Sequence, residues 1–263
     1  MSFSYSFSHA ICRRPGASAT HGLRAVDTGT PDIDLFIQHH NDYVSALKST
    51  GAHVTELAAD ETFPDGCFVE DAALCLPELA IVMRLGTSSR LGEAALMKPE
   101  LEKHYQSIAE ITRGHIEGGD ILVTGREILI GSSDRTDQEG VENLREIVAP
   151  YGYMIRMVQT PPGVLHFKTD CSLLDEHTIL STKRLAGSDC FEGYNVIHVA
   201  DGEEACANTI RFNDLVIMPA GFPKTRAVLT RAGFSIREVG NSEAARLDGG
   251  MSCLSLRFSP PAT

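Results

Sequence analysis

Gly118-Gly-Asp120-Ile-Leu-Val-Thr-Gly-Arg-Glu-Ile-Leu-Ile130 holds the unit from which the fold can be read. Asp120 opens a short apolar run, Gly125-Arg126-Glu127 turns the chain, and a second apolar run starts at Ile128. Two short apolar runs joined by a glycine-bearing charged turn read as a β-hairpin. Outward from this stretch the pattern returns. Further copies open at Glu70-Asp71, Thr169-Asp170 and Asn208-Thr209, with second strands at 79–83, 178–180 and 215–218. The connecting turns are Pro77-Glu78, Asp175-Glu176-His177 and Asn213-Asp214. A fifth copy opens at Ser252-Cys253, so positions 71, 120, 170, 209 and 253 lie 49, 50, 39 and 44 residues apart.

The fifth copy has a first strand, 254–258, and then the chain stops. Its partner is expected from the N-terminal segment 7–12, because such closure removes the open edges of a radial array. Helical patterns fill the gaps at 31–48, 92–105, 136–148, 203–206 and 223–232, and short strands follow at 54–57, 155–158 and 235–239. The predicted fold is α/β, a single domain over 1–263 in which strand, helix and hairpin repeat about an axis.

Composition limits the partners. A chain of 263 residues with 43% hydrophobic and 22% charged residues is that of a globular protein. Its net charge of -12 disfavours nucleic acid and anionic membranes, which reward clustered Lys and Arg, and is in keeping with a small cationic ligand. The seven cysteines are scattered without the paired spacing of structural zinc, so neither a metal nor a cofactor is expected. The N-terminus lacks a basic segment followed by an apolar run, and no apolar stretch is long enough to span a bilayer. A cytoplasmic location with free thiols follows as the expectation.

If the copies are related by rotation, the residues opening each hairpin meet near the axis: Glu70 and Asp71, Glu117 with Gly118, Gly119 and Asp120, His166 with Lys168, Asn208, and Cys253. A strand cysteine is ordinarily apolar filler, and an isolated histidine is ordinarily structural. Together with carboxylates in one pocket they become a nucleophile, a base and its supports, suited to a cationic carbon.

These segments resemble the dimethylarginine dimethylaminohydrolase family, within the guanidine-modifying (pentein) superfamily of five-bladed α/β propellers. The matching stretches are CFVEDAAL at 67–74, IEGGDILVTGREILIG at 116–131, LHFKTDCSLL at 165–174, VIMPAGFPKTR at 216–226 and LDGGMSCLSLRF at 247–258. The resemblance implies hydrolysis of monomethyl and asymmetric dimethyl arginine to citrulline through a covalent thiouronium on Cys253. It implies His166 as general acid and base and Glu117 as the carboxylate supporting it. Glu70 and Asp71 are expected at the guanidinium, and Arg90 and Arg135, each in a small-residue loop after a second hairpin strand, at the α-carboxylate. Asp65 and the Leu23 carbonyl are expected at the α-ammonium, Leu247 as a wall, and Asp248 as an influence on the local charge.

Two departures bear on selectivity. Phe167 stands where the family pattern has a second leucine, and the entrance loop ATHGLRAVDTG is irregular. A deiminase or amidinotransferase acting on another guanidine, and a non-catalytic amino-acid-binding propeller, stay open as alternatives. So do a monomer and a homodimer.

Overall fold

The computed structural model describes residues 3–186 and 189–261. Its strands form five three-stranded sheets on one plan. In each, a central strand pairs antiparallel with its hairpin partner on one side and parallel with a third strand on the other. The four expected hairpins all form: Ala73 faces Val82, Ile121 faces Ile130, Ile179 faces Leu173 and Ile210 faces Ile217. The fifth sheet joins the chain ends, with His9 opposite Phe258 and Ile11 opposite Leu256.

Parallel neighbours need a crossover, and the helices supply it. Ile33–Lys48 is started by the Asp32 side chain, which accepts the Leu35 N–H at 3.1 Å, and it buries Phe36, Tyr43, Val44 and Leu47 on one face. Each such side chain taken out of water stabilises the fold by ~1.5–3 kcal/mol. The Tyr43 hydroxyl also bonds the Met251 carbonyl at 2.9 Å and lies 2.7 Å from Ser255 Oγ, tying this helix to the segment that carries Cys253. Among the described residues, no helix is long and apolar enough to cross a membrane.

Three local expectations change. The helix expected over 92–105 is a 3-10 turn, Ala94–Met97, followed by a single α turn, Lys98–Leu101. Pro99 fits only the first turn of a helix, so it divides the stretch at that point. The edge strands Ile108–Glu110 and Asn195–His198 were not read from the sequence, being short and half-polar. The third change positions the site. The hairpin-opening residues do not begin strands but lie in, or at Asp170 and Asn208-Thr209 directly after, 3-10 turns at Val69–Ala72, Gly118–Asp120, Phe167–Thr169, Glu204–Ala207 and Ser252–Leu254. Starting from the last, each of these turns packs against the next along the series 252–254, 69–72, 118–120, 167–169 and 204–207.

Candidate active site

Gly118 and Gly119 allow the turns to meet. A Cβ on Gly118 would lie 1.9 Å from the Glu70 carbonyl oxygen, and one on Gly119 would lie 2.8 Å from the His166 ring. That close approach seats the imidazole against the Glu117 turn. His166 Nε2 lies 2.7 Å from Glu117 Oε2. Glu117 is fully buried, and its other oxygen accepts the Gly86 N–H at 3.0 Å with Arg135 Nη1 at 3.6 Å. Burial disfavours a charged imidazole, but the charge of Asp71, the bond to Glu117 and the charge of Asp120 outweigh it, raising the His166 pKa to about 9.

Asp71 stands beside this pair. It accepts the Gly119 N–H at 2.9 Å and Arg90 Nη1 at 2.7 Å. Burial opposes its charge, yet His166, the Arg90 charge and both hydrogen bonds hold its carboxyl at about 2. The carboxylate is therefore ionised at neutral pH despite being buried. Asp71, Glu117 and His166 have donor atoms within 4.8 Å of one another, an arrangement a metal ion could share, although each already has protein partners.

Cys253 lies in its own 3-10 turn, 8% exposed, with the Gly250 N–H 3.4 Å from Sγ. The preceding glycine pair has a steric cause. A Cβ on Gly249 would meet the Phe68 ring at 2.4 Å, and one on Gly250 would meet the Asn208 amide at 2.2 Å. Burial and the charges of Asp71 and Glu70 push the thiol pKa up to about 12, against the opposing Gly250 N–H and Lys168. The resting group is a neutral thiol, and a cation placed beside it would favour ionisation.

A cavity of about 290 Å³ collects Leu23, Asp65, Asp71, Arg90, Arg135, His166, Leu247, Asp248 and Cys253 on its walls, with Glu117 behind the imidazole. Leu23 donates its N–H to Asp65 Oδ1 at 3.0 Å, and Ala25 donates to Asp248 Oδ2 at 2.6 Å, so the two acids strap the entrance loop. Burial raises the Asp65 pKa against the Arg90 charge and the Leu23 N–H. Asp248 adopts φ 58°, a left-handed conformation that turns the chain into the glycine pair.

Glu70 departs from expectation. It does not line this cavity. Its Oε1 pairs with Lys168 Nζ at 2.6 Å and with Arg257, on the wall of a separate cavity of about 110 Å³. Burial opposes its charge, but Lys168 and Arg257 hold its carboxyl below the ordinary range. Successive residues of a 3-10 turn diverge by a third of a turn, so Glu70 and Asp71 cannot face the same space. Arg90 also has prior partners: Nε and Nη2 grip Glu93 at 2.9 and 2.6 Å, and Nη1 bonds Asp71. Arg135 is less committed and partly exposed.

Three supports were given no role from the sequence. Glu93 holds Arg90. Asp120 accepts Ser133 Oγ at 2.6 Å, Thr136 Oγ1 at 2.7 Å and the Phe167 N–H at 2.9 Å, fixing the residue next to His166. Phe68 adds apolar wall. The repeat position places Asp120 at the axis without showing what it holds, whereas the arginine partner of Glu93, three residues away, reads equally as a surface pair.

The chain is similar to known proteins over nearly its whole length. The family model described as arginine deiminase matches residues 93–218. An N(G),N(G)-dimethylarginine dimethylaminohydrolase from Pseudomonas aeruginosa is 37% identical over 254 residues, 96% of this chain and 100% of the relative. The Pseudomonas aeruginosa enzyme solved as a Cys-to-Ser mutant complexed with citrulline superposes with TM-score 0.93 at 36% identity, covering 97% of this chain and 100% of that one. A dimethylarginine dimethylaminohydrolase His-to-Gly variant, solved as an adduct with S-methyl-L-thiocitrulline, also gives 0.93, at 37% identity over 96% and 100% of the two chains.

Proposed function

Because the chain belongs to the dimethylarginine dimethylaminohydrolase family, of the pentein superfamily, we propose that it hydrolyses Nω-methylated arginines to citrulline and methylamine or dimethylamine. The observation that carries the reading is the buried Glu117–His166 pair, 2.7 Å apart, sharing one cavity with Cys253 and an ionised Asp71. We read the five sheets as one pseudo-five-fold propeller over 1–263, closed where the chain ends pair.

The substrate guanidinium docks against Asp71, and its α-carboxylate reaches Arg135, with the one free Nη1–H of Arg90 as a second donor. Asp65 and the Leu23 segment meet the α-ammonium, and Leu247 and Phe68 supply apolar wall. Binding places a positive charge next to a thiol that burial and carboxylates keep protonated, so ionisation of Cys253, with its proton released to solvent, is coupled to substrate arrival. The Sγ–C bond forms at the guanidinium carbon. The C–N bond to the methylated nitrogen then breaks, with the imidazolium of His166 supplying the proton to the leaving amine. Neutral His166 next removes a proton from water as the oxygen attacks the thiouronium carbon. The C–S bond breaks as the hydroxyl proton of the adduct passes to the departing sulfur, which restores the thiol beside the imidazolium. Thiol, base and carboxylates supply every step, so we assign no metal or cofactor.

The test is citrulline release from monomethyl, asymmetric dimethyl and unsubstituted arginine, compared below saturation. Preference for the two methylated substrates supports the reading. Turnover of arginine alone would move the chain to deiminase chemistry, and citrulline from none of the three would reject it.

A further inference from the structure

Cys253 Sγ has two N–H groups aimed at it. The Gly250 N–H lies at 3.4 Å, and Asn208 Nδ2 lies at 4.0 Å, the outer limit for a donor to sulfur. The orientation of the Asn208 amide is determined by its other end. Oδ1 accepts the Ser252 N–H at 2.9 Å, so the nitrogen is the atom left facing Sγ. The Asn208 carbonyl also accepts the Met251 N–H at 3.4 Å, and the side chain is 8% exposed. Gly250 can carry no side chain because the same amide occupies that space.

We propose that Asn208 Nδ2 and the Gly250 N–H form a two-donor seat for the Cys253 thiolate, and that Asn208 is the positioning residue that governs how readily Cys253 ionises. The charged surroundings explain why a neutral donor is needed. Asp71 and Glu70 act on Sγ from the 69–72 turn, while Lys168 acts from the 167–169 turn. His166, at the start of that turn, lines the same cavity. Two carboxylates already oppose a thiolate, and another acid at 208 would add a third. In the repeat register Asn208 stands where the 69–72 unit carries Glu70, so a position that holds a carboxylate there holds an amide beside the thiol. An amide donates a hydrogen bond without titrating, so it stabilises sulfur as negative charge develops.

The consequence for turnover rests on Cys253 being the nucleophile, but ionisation can be read without turnover. The measurement is the rate of Cys253 alkylation by iodoacetamide in ligand-free protein, followed by mass spectrometry of the Cys253 peptide between pH 7 and 10. Asn208→Asp keeps the shape of the side chain and the acceptor for Ser252, while replacing the donor with a charge. Asn208→Ala removes the donor and the acceptor. Below the thiol pKa the rate follows the thiolate fraction, so at pH 8 we expect Asn208→Asp to be about tenfold slower than the parent and Asn208→Ala about threefold slower. A merely structural role predicts the opposite order, with the isosteric Asp near parent and Ala slower. That order, or equal rates in all three folded proteins, overturns the proposal. If Asn208→Asp does not fold, parent-like alkylation of Asn208→Ala overturns it, and alkylation slower than the parent by the same factor throughout pH 7–10, as expected below both thiol pKa values, supports it. Retained turnover in Cys253→Ser would instead reject the nucleophile assignment and leave the alkylation result standing.

Discussion

Replacing Glu117 with Gln removes a charge and, with the remaining oxygen on His166, the acceptor for the Gly86 N–H. The amide oxygen can still accept from His166 Nε2, and the side chain keeps its length in a fully buried site. What is lost is one charge-assisted bond at 2.7 Å, and such a bond contributes ~1.5–3 kcal/mol where a neutral one contributes about half. The difference, ~0.75–1.5 kcal/mol, corresponds to a fall of about 0.5–1 pH unit in the imidazole pKa. His166 starts at about 9, and Asp71 and Asp120 continue to act on it in the variant, so the expected value is roughly 8–8.5. Nuclear magnetic resonance of the ring Cε1–H, followed between pH 5 and 10, reads this directly. The alkaline limb of kcat/KM should move down with it, because less imidazolium is available for the leaving amine. An unmoved titration in a folded Glu117→Gln protein would refute the electrostatic coupling on which the proton-transfer step depends.

Other expectations follow from the same contacts. The folded pKa of His166 lies above its ordinary 6.5, so its stabilising contribution is complete below about pH 6.5 and is lost as pH rises through about 9. The change amounts to ~3 kcal/mol, and denaturant melts at pH 6 and 9.5 should show that loss in the parent and a smaller one in His166→Gln. Arg90→Ala should cost ~3–5 kcal/mol of stability, because Asp71 and Glu93 stay buried without their partner. Arg135→Ala should leave the melt nearly unchanged while lowering kcat/KM about 10–100-fold, and equal melts for the two variants would contradict this division of roles. Turnover should survive rigorous chelation; activity lost and then restored only by stoichiometric metal would contradict the metal-free cycle.

The hairpins were legible because an alternation of apolar runs and charged turns fixes both partners locally, and Ile121 opposite Ile130 needs no distant information. Closure of the chain ends was legible from the same pattern, since Leu256 lacked a neighbour and Ile11 could supply one. The site was readable through residue type and recurrence: nine of the eleven expected side chains line one cavity, and Glu117 stands directly behind His166. Glu70 was misplaced because an extended reading of 70–74 concealed the 3-10 turn that separates it from Asp71. Glu93 was missed for a different reason. A carboxylate three residues from an arginine looks the same in sequence whether exposed or buried, and only packing around Phe68 and Asp71 decides. The role of Asn208 depends on which end of its amide Ser252 occupies, and that is a tertiary fact.

The central claim is that Cys253 carries the substrate carbon during turnover. The direct measurement is rapid acid quenching of the protein during hydrolysis of asymmetric dimethyl arginine labelled with ¹³C at the guanidinium carbon, followed by peptide mass spectrometry. The account predicts a transient labelled thiouronium on the Cys253 peptide, more persistent in His166→Gln, where water is activated poorly, and absent from an inactive Cys253→Ser protein. Label on another side chain, or citrulline formed at the parent rate by Cys253→Ser, would contradict it.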